Sequence, residues 1–308
     1  MLTIVICTGG RYNYLYQLLN DLSKFKIPIW IIDFNNKKDQ KKKYQNINKN
    51  IKLILNDKCS TFSERFVKYI KLIKTKYVWF IGDDDRVESN YLEKLILFLK
   101  KSNFSGFTLG YEVFRKDPLV KKKNQLKKIE YKYLNIYEDI HNLGLVSTQI
   151  INTESYKIIS KNLNEKYLNK SMYPQIDVIT KIISTFNDWQ KINNAIVYYR
   201  VNNFNLNKKN LYNRLNGEFK GYLVPLKKIY GHNEIKLLYQ KIFFKNILSW
   251  IIYCIVNIGK KNTFKILKNN NKIIPFILST HFIKAMIFIT PLSVIKIVRG
   301  IKQKLTSK

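Results

Sequence analysis

The first part of the chain alternates unbroken apolar runs with stretches whose apolar positions recur every three or four residues. LTIVICT (residues 2–8), IPIWIIDF (27–34), IKLILND (51–57) and KYVWFIG (76–82) read as β-strands. Between them, residues 12–25 carry Leu15, Leu18, Leu19 and Leu22 at helical spacing. Residues 61–75 open on a Thr/Ser start and continue as an amphipathic helix. Continuous apolar strands alternating with helices predict a parallel sheet covered on both faces.

Ligands of such sheets bind beyond the carboxyl ends of the strands. Three of the strands end in polar residues: Thr8 to Arg11, Asp33 to Asn36, and Asp83 to Asp85. Further along, residues 116–128 read as a solvated basic loop and 143–152 as a strand. Residues 171–184 open a helix, and 193–205 form a strand running into a polar loop.

Composition changes the picture in the last quarter. Glu234 is the last acidic residue, and residues 235–308 hold 14 Lys or Arg. A boundary is expected between residues 215 and 234, with one domain over 1–215 and a helical basic appendage over 216–308. The apolar stretches 247–259 and 285–295 are shorter than the roughly 20 residues a spanning helix needs. They predict interfacial helices on an anionic membrane surface, or alternatively a soluble helical subdomain.

The whole chain has 308 residues, a net charge of +34 and 46% hydrophobic residues. That apolar content excludes global disorder. The charge suits a polyanionic partner (nucleic acid, anionic membrane or phosphorylated substrate), although a lysine-rich composition by itself gives the same number. Cys7, Cys59 and Cys254 match no zinc spacing and suit a reducing compartment. The first twelve residues lack a basic, cleavable leader and read as a strand. A cytoplasmic location, peripheral on the inner face of the plasma membrane, is expected.

Three adjacent carboxylates in so basic a chain need a reason. Alternation along a strand lets one Asp face a ribose or base while its neighbour holds a divalent cation. Mg²⁺ and Mn²⁺ prefer carboxylate oxygen and complete their shells with substrate phosphates. The competing reading is an Asp-rich turn that caps the following helix, from Val87 onward.

Residues 3–22, 29–36 and 77–85 resemble the nucleotide-binding segments of GT-A glycosyltransferases of family 2, in particular abequosyltransferase-like enzymes of bacterial surface polysaccharides. The resemblance covers residues 1 to 205. It implies a Rossmann-like, mostly parallel α/β sheet between helices, a nucleotide-diphosphate sugar donor, a DxD-bound Mn²⁺ or Mg²⁺, and inversion at the anomeric carbon. A hexosyltransferase acting on a polyprenyl-linked glycan acceptor is expected.

Carried over, Thr8 and Arg11 stand where the family's Thr-x-x-Arg meets the nucleotide, and Asp33 where it meets the base. Gly82 falls on the first Asp of the family motif, which leaves Asp83 for the nucleotide and Asp84, with Asp85, for the metal. A register shifted by one residue uses Asp83 and Asp85 instead. The family's catalytic Glu-Asp pair is matched by Asp177 alone, near which Tyr173 to Gln175 shape an acceptor pocket. Arg200 stands where a Tyr-Arg-x-His loop clamps the diphosphate, with Asn202 in place of the His. Other readings are a nucleotidyltransferase, for which Thr8 to Tyr14 form a poor triphosphate loop, and a basic nucleic-acid-binding protein, for which no motif appears.

Overall fold

The computed structural model describes residues 1–36, 40–114, 129–135, 139, 142–169, 171, 173–200, 255 and 258–269. The chain forms two compact units, Met1–Asn203 and Phe204–Lys308. The basic stretch 116–128, the boundary region 215–234, Asn202 and the apolar stretch 285–295 lie outside the described residues.

The first unit is built on one sheet. Its strands are β1 (Leu2–Thr8), β2 (Ile29–Asp33), β3 (Ile51–Ile54), β4 (Tyr77–Gly82), β5 (Arg86–Val87), β6 (Gly106–Phe114), β7 (Tyr131–Tyr133), β8 (Gln149–Asn152) and β9 (Gln190–Arg200). They are ordered β3-β2-β1-β4-β8-β6-β9-β5, with β7 also paired to β9. The pairs among β1 to β4 are all parallel. Beyond β4 the sheet is mixed: β8 lies antiparallel to both β4 and β6, while β6 and β9 are parallel.

The helices are α1 (Tyr12–Leu22), α2 (Gln40–Ile47), α3 (Phe62–Leu72), α4 (Ser89–Lys101), α5 (Thr153–Ser160), α6 (Glu165–Leu168) and α7 (Pro174–Phe186). Leu15, Leu18, Leu19 and Leu22 of α1 are all buried and join the core formed by Ile4, Ile6, Ile29, Ile31, Trp79 and Ile81. Full burial of one such side chain contributes about 1.5–3 kcal/mol. Residues Ile4 to Ile6 and Tyr77 to Ile81 are buried without alternation, as expected of strands covered on both faces.

Caps set where the helices begin. Thr61 accepts the Glu64 amide at the start of α3, and the Glu64 carboxylate takes the Ser60 amide in return. Glu88 accepts the Asn90 amide and caps α4. The three aspartates are thereby released from the capping role that the sequence left open.

In the second unit, α8 (Lys260–Asn269) is amphipathic: Thr263 and Ile266 are buried, whereas Lys261, Asn262 and Lys265 are exposed. Among the described residues no helix is long and apolar enough to cross a membrane.

Candidate functional site

Strand register brings the predicted residues together. Thr8 on β1 pairs with Asp33 on β2, and its neighbour Cys7 pairs with Gly82 on β4. The Thr8 hydroxyl donates to Asp83 Oδ2 at 2.7 Å. On the other side, Asp33 is fully buried and accepts the Tyr12 hydroxyl at 3.1 Å and the Asn35 amide at 2.9 Å. The chain leaves β1 through Gly10, whose φ of +108° suits glycine, and a Cβ there would stand 2.8 Å from Asn35 Nδ2. This turn aims Arg11 at the aspartates.

The three carboxylates have different surroundings. Arg11 forks across two of them, pairing with Asp83 Oδ1 through one guanidinium nitrogen and with Asp84 Oδ2 through the other. Asp83 is buried, and Asp84 keeps a 13% exposed side chain. Asp85 turns inward: it accepts the Ser147 hydroxyl at 2.5 Å and the Arg200 amide at 3.1 Å. Burial pushes the Asp83 carboxyl above its ordinary range, against the opposing pull of Arg11 and Thr8. Burial also dominates at Asp85, pushed up to about 7, with the Ser147 bond offsetting part and Asp84 adding to the rise.

A divalent cation fits this donor set in one way. Both oxygens of Asp83 and of Asp85 are engaged within the protein, whereas Asp84 Oδ1 has no partner among the described residues. No group of three or more His, Cys, Asp or Glu side chains among those residues forms a ready-made cage. A single carboxylate completed by substrate phosphates is the usual manner of Mg²⁺ binding.

Arg200 reaches the triad through topology. β5 runs antiparallel to β9 with Arg86 opposite Tyr198, so continuing that register by two residues places Asp84 opposite Arg200. Its Nε donates to the Asp84 carbonyl at 2.9 Å and a terminal nitrogen to Gln17 at 3.0 Å. The guanidinium carbon lies 4.2 Å from the Tyr14 ring centre and 4.4 Å from that of Phe114. Arg200 is therefore buried and holds the aspartate turn in place.

Asp177 lies in the first turn of α7, which Pro174 opens. Its Oδ2 accepts a long hydrogen bond of 3.4 Å from Ser171, whose carbonyl accepts the Ser63 hydroxyl from the first turn of α3. α3 leaves β3 at the carboxyl edge of the sheet, so Asp177 belongs to the same edge as the triad. Gln175 donates to the Gly144 carbonyl at 2.9 Å, three residues before the Ser147 that holds Asp85. Glu165 pairs with Lys71 at the opposite end of α3, and Asp188 accepts the Ser105 amide just before β6 begins. Both lie at the amino edge.

Against this geometry, the model of glycosyl transferase family 2 matches residues 3–168, more than half of the chain. The chain belongs to glycosyl transferase family 2. No curated protein matches it. Among solved structures it is similar to S. aureus TarS 1-349 in complex with UDP-GlcNAc, at 15% identity and a TM-score of 0.62, over 89% of this chain and 81% of that one. It is also similar to the same protein in complex with UDP, at 14% identity and a TM-score of 0.55, over 92% and 87%. At such identities the likeness is one of fold: a Rossmann-like GT-A architecture.

This family 2 domain contains a second ionic cluster that the sequence pattern did not reveal. Asp57, beyond β3, forms an ion pair with Arg65 Nε at 2.8 Å and accepts hydrogen bonds from Lys68 at 2.6 Å and the Tyr69 hydroxyl at 3.0 Å. The Arg65 guanidinium also lies 3.8 Å from the centre of the Phe34 ring, next to Asp33. A signal was present, because β3 too ends in a polar pair, Asn56 and Asp57. Ser147 was hidden differently. It accepts the Gly82 amide at 2.8 Å while donating to Asp85, 62 residues away, from a 3-10 turn at Val146–Thr148. That turn interrupts residues 143–152, a stretch whose apolar pattern reads as one strand, and leaves only Gln149–Asn152 in the sheet.

Proposed function

We propose that this glycosyl transferase moves a sugar, with inversion, from a nucleotide-diphosphate donor onto a glycan acceptor. The reading rests on one observation: Thr8, Arg11, Asp33 and Asp83 to Asp85 converge at adjacent carboxyl ends of parallel strands in a family 2 domain. The UDP and UDP-GlcNAc complexes of the similar TarS structures support a nucleotide-sugar donor.

Asp33 and the Phe34 ring flank the end of β2 and receive the base and ribose. The donor diphosphate lies over β1 and β4, toward Arg11 and Asp84. Asp84 holds Mn²⁺ or Mg²⁺, and the bound ion supplies neutralisation of the charge that builds on the departing diphosphate. Asp85 shapes the turn from within, alongside Ser147 and Arg200. Asp177 accepts the proton of the attacking acceptor hydroxyl, and Tyr173 to Gln175 line the acceptor side. Asp177→Asn keeps the shape and removes the basicity, so kcat falls by roughly 10² to 10⁴ with donor binding little changed.

The acceptor is lipid-linked and belongs to a surface polysaccharide, and the chain works on the inner membrane face. The reason is the basic, apolar composition of residues 235–308, whose 14 positive charges suit an anionic leaflet. The full chain should sediment with anionic liposomes and leave them as salt rises. Screening a panel of nucleotide sugars for Mn²⁺-dependent hydrolysis tests the activity. Turnover of one donor class is expected, and inertness toward every donor with an intact fold would sink the reading.

A further inference from the structure

Among the described residues Asp83, Asp84 and Asp85 share one ion-paired side chain, Arg11, since the Arg200 guanidinium is directed to the Asp84 carbonyl, Gln17 and two aromatic rings. The two ends of the Arg11 fork are unequal. Asp83 is buried and is held from below by Thr8, so that carboxylate is fixed. Asp84 is the outermost of the three, and the Arg11 side chain itself is 44% exposed at the end of a glycine turn. One guanidinium nitrogen thus covers the same carboxylate whose other oxygen has no partner among the described residues.

We infer that Arg11 is an exchangeable counter-ion, which covers Asp84 before the donor arrives and passes to the donor's diphosphate when a divalent cation takes Asp84. This rests on the nucleotide-sugar reading above. A planar guanidinium that can fork onto two carboxylates can fork equally onto two phosphate oxygens. Before exchange, a single positive charge partly balances a cluster of carboxylates. After exchange, a doubly charged ion balances them better, and the diphosphate gains the released arginine. Neither half of the exchange is favourable alone: the metal must evict Arg11, and Arg11 needs a phosphate to go to. Metal and nucleotide therefore bind cooperatively, and the metal by itself binds weakly.

The test titrates Mn²⁺ onto the full chain by electron paramagnetic resonance, with and without UDP. Wild type should bind Mn²⁺ weakly alone and about 5- to 150-fold more tightly with UDP, the usual span of coupling between two sites. Arg11→Gln removes the competing charge, so Mn²⁺ alone should bind it at least about tenfold more tightly, and the gain from UDP should shrink. Arg11→Lys keeps the charge without the fork and should fall between the two. Asp84→Asn should abolish the tight site in both the wild-type and the Arg11→Gln background.

Equal or weaker Mn²⁺ affinity in folded Arg11→Gln overturns the exchange. So does a wild-type affinity that UDP leaves unchanged despite UDP binding, a result that requires no variant to fold. A chain that binds neither UDP nor any other nucleoside diphosphate of the donor panel overturns the nucleotide-sugar reading instead. In that case the Mn²⁺ affinity of Arg11→Gln alone still decides whether Arg11 is the counter-ion.

Discussion

Asp57 and the Asp83–Asp85 turn are both carboxylates placed just beyond parallel strands and met by an arginine, yet they are opposite electrostatic objects. One carboxylate at Asp57 meets two cations and a tyrosine hydroxyl. Burial pushes its pKa up, but the bonds from Lys68, Tyr69 and Cys59 outweigh burial and hold it below the ordinary range. At the turn three carboxylates meet one ion-paired arginine among the described residues, and burial wins at Asp83 and Asp85. A saturated carboxylate is an anchor, because nothing is left over to attract a ligand. An under-neutralised cluster stores negative charge, and that charge can recruit a cation together with the phosphates it carries.

Three variants break or sharpen this contrast. Asp84→Ala should cost the most, lowering turnover by about 10² to 10³-fold, as loss of one electrostatic stabiliser typically does. Its melting temperature should stay within about 2 °C of wild type, because the side chain is at the surface of the cluster. Full activity of this variant, or of wild type in EDTA, would remove the metal from the picture.

Asp57→Asn should invert the pattern. It leaves Arg65, whose side chain is 5% exposed, without its ionic partner. Chemical denaturation should show a loss of about 3 kcal/mol, the usual result of orphaning a buried charge. If stability is unchanged and turnover collapses instead, the two clusters are not the opposites described.

The change is most gradual with pH. Asp85 binds its proton more tightly folded, at about 7, than unfolded, so the folded state holds more protons between pH 4 and 7. Stability from this group is complete below pH 4, declines as pH rises, and is flat above about 7. Wild type should lose on the order of 1 kcal/mol per pH unit across that window relative to Asp85→Asn. Parallel stability curves for the two proteins would place the titration elsewhere.

The same contrast shows how far local sequence reaches. β1, α1 with its four buried leucines, and the aspartates beyond β4 follow from apolar spacing alone, because each is a property of one short segment. The Asp57–Arg65 pair is also local, but Arg65 sits inside an amphipathic helix where a pattern assigns it to solvent. Ser147 and Gln17 could not be placed by any pattern, and the motif that marked Arg200 did not show that its guanidinium turns to the Asp84 carbonyl and Gln17. Their bonds to the turn or to each other span 62 to 183 residues and depend on how β8, β6 and β9 are ordered. Mixed pairing in that half arises because β8 runs back between β4 and β6, a crossover without a local signature. The opening of α7 by Pro174 was readable, whereas the position of Asp177 at the triad's edge depends on Ser171 and Ser63.

The register of Thr8 has a metric consequence. Asp33, Thr8 with its neighbour Cys7, and Gly82 occupy three successive strands, with Thr8 in register with Asp33 and Cys7 with Gly82. Neighbouring strands lie about 4.8 Å apart, so the two flanking positions are separated by roughly 10 Å. The sheet is a ruler with fixed graduations. A bound molecule that touches both Asp33 and the carboxylates beyond Gly82 must match that length, and loop substitutions can alter its grip but not the gauge.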